Sequence, residues 1–185
     1  MELLDLKKQG IDIKEQIPLS RYTFTKTGGE AEYLAFPKTT DEVEKLVKVT
    51  QENKIPLTII GNASNLIIRD GGIDGLVIIL TELKNIEVNG NEVTADAGAT
   101  IVDTAFTAAN HGLSGMEFAA GIPGSIGGGV FMNAGAYGGE MQEAVKSVNV
   151  LTRAGEYKTY SNQEMDFSYR HSIIQENGDI VLSAT

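Results

Sequence analysis

Residues 119–139 read AAGIPGSIGGGVFMNAGAYGG, and the crowding of glycine around so few polar side chains is the feature from which the fold is read. Glycine loses the most backbone entropy on folding and weakens both helices and strands. A dense run of it inside an otherwise well-patterned chain implies that something must approach the main chain closely. Pro123 stiffens the turn, Ser125 offers a hydroxyl, and the sequence then becomes apolar enough to enter a helix. Amides in a tight loop and at a helix N-terminus present oriented donors and partial positive charge, which is how a backbone receives phosphate.

Working outward, the chain has 185 residues, 42% of them hydrophobic and 22% charged, with a formal net charge of −10. That length holds one medium domain or two small lobes. Lys and Arg are scattered without a basic stripe, which argues against a nucleic-acid partner but not against an anionic nucleotide bound through amides. The absence of cysteine removes disulfides and thiolate metal sites. His111 and His171 show no metal-ligand spacing, so no metal is expected. No apolar run reaches the roughly 18 residues of a membrane helix, and MELLDLKKQG lacks a signal-peptide core. A cytoplasmic enzyme or binding protein, with no membrane partner, is expected.

Residues 1–20 read as a helical or irregular N-terminal arm ending near Pro18. Residues 21–80 read as a first lobe: a strand over 32–36, then a helix capped by Thr39 or Thr40 with Val43, Leu46 and Val47 on one face. Ile55-Pro56 ends that helix, and strands follow over 57–60, 66–68 and 76–80. Residues 81–185 read as a second lobe. It opens with a hairpin signalled by Asn89-Gly90 and continues with a helix over 101–110, capped by Thr100 and closed by Gly112. The glycine stretch, a hairpin around 153–155 and a last strand over 179–183 complete it. The hairpins imply antiparallel or mixed sheets. The chain stops at Thr185 directly after that strand, so a further domain is expected to be absent from it.

Each lobe carries one glycine-containing loop: Gly61, Asn62, Ala63, Ser64 and Asn65 in the first, and residues 121–128 in the second. One such loop alone is as readily a simple connection. The pair suggests a ligand running between the lobes and long enough to carry a diphosphate. No Gly-Lys-Ser/Thr follows either loop, which excludes a P-loop, and residues 121–127 do not fit the G-x-G-x-x-G dinucleotide pattern.

Four segments in order, residues 22–39 (YTFTKTGGEAEYLAFPKT), 60–66 (IGNASNL), 117–140 (EFAAGIPGSIGGGVFMNAGAYGGE) and 167–172 (FSYRHS), resemble the UDP-N-acetylenolpyruvoylglucosamine reductase family, over nearly the whole chain from Arg21 onward. The resemblance implies an α+β fold, an FAD-binding domain of the vanillyl-alcohol-oxidase (PCMH) type made of two α+β lobes with FAD between them. It assigns Gly61, Asn62, Ala63, Ser64 and Asn65, together with Gly121, Ile122, Pro123, Gly124, Ser125, Gly127 and Gly128, to the pyrophosphate, and puts Asn133 and Ala134 near the flavin. Neither loop has histidine or cysteine, so the FAD is expected to be noncovalent. NADPH is the implied hydride donor and a UDP-sugar the substrate, in a cytoplasmic step of peptidoglycan synthesis.

An arginine after Phe-x-Tyr by itself reads as a surface ion-pair partner. The resemblance instead makes Arg170 the catalytic residue that stabilises an enolate, a role suited to a delocalised, permanent cation; Tyr169 would pack or shape the pocket. The family's proton-donating serine and late glutamate have no counterpart here, and Ser125 and Ser172 do not replace them. The chain alone is therefore expected to turn over slowly or not at all. The alternatives are another flavin oxidoreductase of the same fold, or a nucleotide-binding module without catalysis.

Overall fold

Thr39 and Thr100 each precede a run of helix formers, and in the computed structural model, which describes residues 2–185, both act as N-caps. The Thr39 hydroxyl accepts from Glu42 N at 3.2 Å and the Thr100 hydroxyl from Asp103 N at 2.9 Å. The chain divides into two compact units, one ending at Glu82 and the other beginning at Leu83. Both are α+β.

The first unit contains α1 (Leu3–Lys8), β1 (Ile13–Pro18), β2 (Glu30–Ala35), α2 (Thr40–Asn53), β3 (Leu57–Ile60) and β4 (Ile73–Ile79). Its mixed sheet has the order β1-β2-β4-β3, antiparallel between β1 and β2 and parallel elsewhere. The helix–strand crossover from β2 to β3 leaves a gap that β4 fills. Lys54 in the left-handed region, with Ile55 N reaching Thr50 O at 2.8 Å, closes α2 ahead of Pro56. On α2, Val43, Leu46 and Val47 are fully buried, as their spacing requires. Val77 and Ile79 of β4 join Leu34, Phe36 and Ile60 in one apolar cluster; Leu76 and Ile78, alternating with them, face the other side.

Two local expectations are corrected in this unit. The N-terminal arm, expected to be helical or irregular, is helical at Leu3–Lys8, but residues 13–18 are a sheet strand paired with β2. Residues 66–68 form no strand, because only one of the three side chains has a core to enter: Ile68 packs into the cluster that also holds Ala63, while Ile67 is 84% exposed.

The second unit contains β5 (Ile86–Asn89), β6 (Glu92–Asp96), α3 (Ile101–Asn110), α4 (Ile126–Phe131), β7 (Gly135–Ala136), β8 (Gly139–Glu140), α5 (Met141–Ala144), β9 (Ser147–Leu151), β10 (Tyr157–Ser161), α6 (Ile174–Asn177) and β11 (Ile180–Ala184). Its main sheet, β10-β9-β11-β6-β5, is antiparallel throughout. The first hairpin forms where Asn-Gly signals it, but the two central residues are Gly90 and Asn91, with Gly90 at φ +61°. Positive φ at the first central position is the II′ geometry, so the turn lies one residue beyond the signal. α4 packs on β6 and β11, and this places the glycine stretch against the sheet. Among the described residues no helix is long and apolar enough to cross a membrane.

Candidate functional site

In the first unit the loop after β3 is anchored by its middle residue. Ala63 is buried in the core and its carbonyl accepts from Phe24 N at 3.2 Å. Its φ is +49°, a conformation that costs an L-residue about 1–2 kcal/mol. Strain of this kind persists where the surroundings impose it, and it clusters at ligand sites. Among the described residues, the backbone N–H groups of Gly61, Asn62, Ala63, Ser64 and Asn65 donate to no protein acceptor. Hydrogen bonds to a bound anion would satisfy such groups.

In the second unit residues 121–128 wrap the start of α4. Ile101 N donates to Gly124 O and Ile126 N to Ala99 O, both at 2.9 Å, tying the loop to the turn before α3. Ser125 is buried and caps α4, its hydroxyl accepting from Gly128 N at 3.4 Å. Ser125 N donates to no acceptor among the described residues. The cap contact is long, so Ser125→Ala is expected to cost only about 0.5–1 kcal/mol, the low end for a lost N-cap, as chemical denaturation would measure.

The glycines here have separate reasons. A Cβ on Gly127 would lie 3.0 Å from Ala97 Cβ and 3.1 Å from Ala97 O, so Gly127 is needed for helix–sheet contact. Gly128 is exposed, and its nearest Cβ neighbour would be Ser125 Oγ at 3.4 Å; Gly121 meets nothing within 4 Å. Packing therefore accounts for Gly127, while Gly121 and Gly128 leave the surface open to an approaching group.

The other end of α4 meets the segment bearing Arg170. Residues 168–171 form a two-residue turn closed by Ser168 N to His171 O at 3.2 Å and His171 N to Ser168 O at 3.1 Å. Arg170 sits in that turn at φ +55°. Its guanidinium donates to Asn133 O at 3.2 Å and to Gly135 O at 3.0 Å, with Cζ 5.1 Å from the Tyr169 ring centroid. Among the described residues no carboxylate pairs with it. Neutral carbonyls thus fix the cation while leaving its charge available. The six residues of α4 span about 9 Å, so one short helix carries the glycine loop at one end and the arginine's anchor at the other.

Asn133, at φ +42° and fully buried, spends its side chain inside the protein. Its amide donates to Ser168 O and its side-chain oxygen accepts from Gln142 N, both at 2.9 Å. Ala134 N donates to Gly129 O at 2.8 Å. Tyr169 is 84% exposed, its ring facing the Arg170 guanidinium. His171 turns to Glu176, 3.2 Å away. His111 caps α3 through Nδ1–H to Thr107 O at 2.8 Å. The Glu117 carboxylate interacts with its own backbone N–H and accepts from Gly115 N, and these backbone donors hold its pKa below the ordinary carboxylate value. Three participants were not found from sequence: Gln175 and the carbonyls of Phe131 and Gly135. Backbone acceptors leave no signal in side-chain identity.

A separate cavity of about 380 Å³ in this unit, lined by Val93, Ala108, Leu113, Met116 and Met141 among others, includes none of the sequence-derived site residues. Among the described residues no cluster of His, Asp or Glu could hold a metal ion.

The sequence matches the family described as FAD binding domain over residues 31–161. It is 89% identical over 185 residues to the UDP-N-acetylenolpyruvoylglucosamine reductase of Lactobacillus helveticus, covering 100% of this chain and 62% of that protein. Among solved structures, the UDP-N-acetylenolpyruvylglucosamine reductase from Thermus caldophilus superposes with a TM-score of 0.81 at 32% identity, covering 94% of this chain and 61% of that one. Cholesterol oxidase from B. sterolicum, at 19% identity and a TM-score of 0.71 over 95% of this chain and 37% of its own, shares the fold alone. The expected α+β, vanillyl-alcohol-oxidase-type architecture is borne out by these likenesses. The chain spans 62% of the length of the curated relative it matches.

Proposed function

The chain belongs to the FAD binding domain family, and from that premise we propose that it is the flavin-holding part of a UDP-N-acetylenolpyruvoylglucosamine reductase. The observation that supports FAD most directly lies in the first unit, where among the described residues the backbone amides of Gly61 to Asn65 donate to no protein acceptor. In the second unit, taken by itself, the Ser125 N–H at the start of α4 likewise has no acceptor among the described residues. Each loop by itself suits phosphate oxygens without any basic side chain, which is in keeping with a chain of net charge −10. The exposed Gly121 and Gly128 let such a group approach the backbone.

When bound, FAD supplies the hydride chemistry, with NADPH as the proposed reductant and an enolpyruvyl UDP-sugar as the proposed acceptor. The chain's own contribution is to bind and to place charge. Arg170, fixed by two carbonyls and, among the described residues, paired with no carboxylate, holds a cation where an enolate conjugated with a carboxylate would develop negative charge. A planar guanidinium matches both oxygens of such an anion. Neither Ser125 nor Ser172 is proposed as the proton donor: Ser125 is buried at the start of α4, and Ser172 Oγ already donates to Phe131 O at 2.8 Å.

The test is FAD binding by the chain itself. Added FAD at 100 times its dissociation constant is expected to stabilise the fold by about 2.7 kcal/mol, read as a higher melting temperature together with flavin absorbance that co-elutes with the protein. No shift and no co-elution would refute the proposal. Reoxidation of reduced flavin by the enolpyruvyl UDP-sugar, in a protein of the relatives' full length, tests the substrate.

A further inference from the structure

We infer that Gln175 is a positioning residue for Arg170: its side-chain amide pins the left-handed turn that presents the guanidinium. The inference rests on the reading of Arg170 as the anion-binding group.

The need for such a pin follows from the backbone. Arg170 occupies φ +55°, where a side chain with a Cβ pays about 1–2 kcal/mol. Its turn has only the two bonds between Ser168 and His171 to close it. Two side chains supply what the turn lacks. Asn133 Nδ2 donates to Ser168 O on one side, at 2.9 Å. Gln175 Nε2 donates to Arg170 O at 3.0 Å and also to Phe131 O at 2.8 Å. Gln175 therefore ties the carbonyl of the strained residue to the last residue of α4. Ser172 Oγ donates to that same Phe131 carbonyl at 2.8 Å, so two side chains of the segment that follows the turn hold the α4 terminus.

The guanidinium needs the turn to stay in place. Its two anchors, Asn133 O and Gly135 O, lie just beyond α4. Linking Arg170 O to Phe131 O fixes the arginine main chain to the segment that carries both anchors. Two of the five guanidinium N–H donors are used there, and the rest remain for a ligand. Nothing about packing asks for an amide at position 175, because the residue is exposed and α6 is only four residues long. Its hydrogen bonds are what distinguish it.

Gln175→Met keeps the length and bulk of the side chain but removes the donor. In the 185-residue chain labelled with 15N-arginine, the Arg170 Nη resonances are expected to be resolved by restricted rotation, and are assigned by their loss in Arg170→Lys. In Gln175→Met they are expected to collapse to an averaged signal, while Arg153, held by Gly178 O in the same unit, keeps its resonance and the melting temperature moves by no more than a few degrees. Unchanged Arg170 signals would overturn the inference. So would loss of the Arg153 and Arg170 signals together, since that marks a purely structural role.

In the FAD-loaded protein of full length, Gln175→Met is expected to slow the substrate-dependent step about tenfold and leave FAD reduction by NADPH unchanged. If Arg170→Lys left that step at the wild-type rate, the assignment of Arg170 would fail while the resonance result still decided the role of Gln175.

Discussion

On the proposed function, replacing Arg170 with methionine is expected to slow reduction of the enolpyruvyl group by about 10²–10³-fold, the loss that follows removal of one fixed donor to a developing oxyanion. The arrangement around the side chain is what makes so large an effect reasonable. An ordinary surface arginine pairs with a carboxylate, gains little from it, and has little charge left to offer. Arg170 is held by the carbonyls of Asn133 and Gly135 and lies against the Tyr169 ring, so it is oriented before any ligand arrives. Methionine retains most of the stem. The Asn133 carbonyl it leaves unpaired is buried, which costs about 1–3 kcal/mol, so the melting temperature is expected to fall by several degrees. Arg170→Lys keeps the charge but loses the planar fork and should lie between the two. Rapid-reaction kinetics on a full-length, FAD-loaded protein separate the steps. Flavin reduction by NADPH should be unchanged and only reoxidation by the UDP-sugar slowed. A wild-type reoxidation rate in Arg170→Met would remove the arginine from the mechanism.

Neighbouring glycines in α4 are expected to respond in opposite ways. Gly127→Leu forces a side chain into a gap where even a Cβ meets Ala97 Cβ and Ala97 O at 3.0 and 3.1 Å. Ala97, one residue past β6, is tied by Ala97 N to Leu182 O and by Gly127 N to Ala97 O, both at 2.8 Å, and so yields little. A loss of about 3 kcal/mol is expected, at the upper end for overpacking. Gly128→Ala meets nothing closer than 3.4 Å and replaces glycine with the best helix former, so the ligand-free fold should gain up to about 1 kcal/mol. The same methyl covers the face where a phosphate would approach, and FAD affinity is expected to drop at least tenfold. Denaturation curves and flavin titrations of both variants check this. A Gly128→Ala protein that is more stable and binds FAD as tightly as before would show that no ligand uses that face.

Much of the local structure was legible because its causes are local. The cap residues Thr39 and Thr100 act on amides three residues away, and α3 runs over the expected residues 101–110. Residues 57–60 form the expected strand. The failures share one cause. Residues 66–68 look like a strand but have no partner, and residues 13–18 look helical or irregular but pair with β2. Pairing depends on which segments the rest of the fold brings alongside. The Asn89-Gly90 signal located a hairpin correctly and missed its centre by one residue, since register is set by the whole ladder.

The candidate site divides in the same way. From the glycine stretch and the motifs around it, the sequence alone determined the fold class, the FAD-binding family and the position of the arginine. Only the tertiary structure decided what each residue in that stretch does. It separates Gly127, which packing requires, from Gly128, which packing does not explain. It turns Asn133 inward as a strut and brings in Gln175. The physical reason is that composition and spacing record which backbone conformations and side-chain chemistries are available. The hydrogen bonds that orient Arg170 run to carbonyls of Asn133 and Gly135, and every residue type carries such a carbonyl.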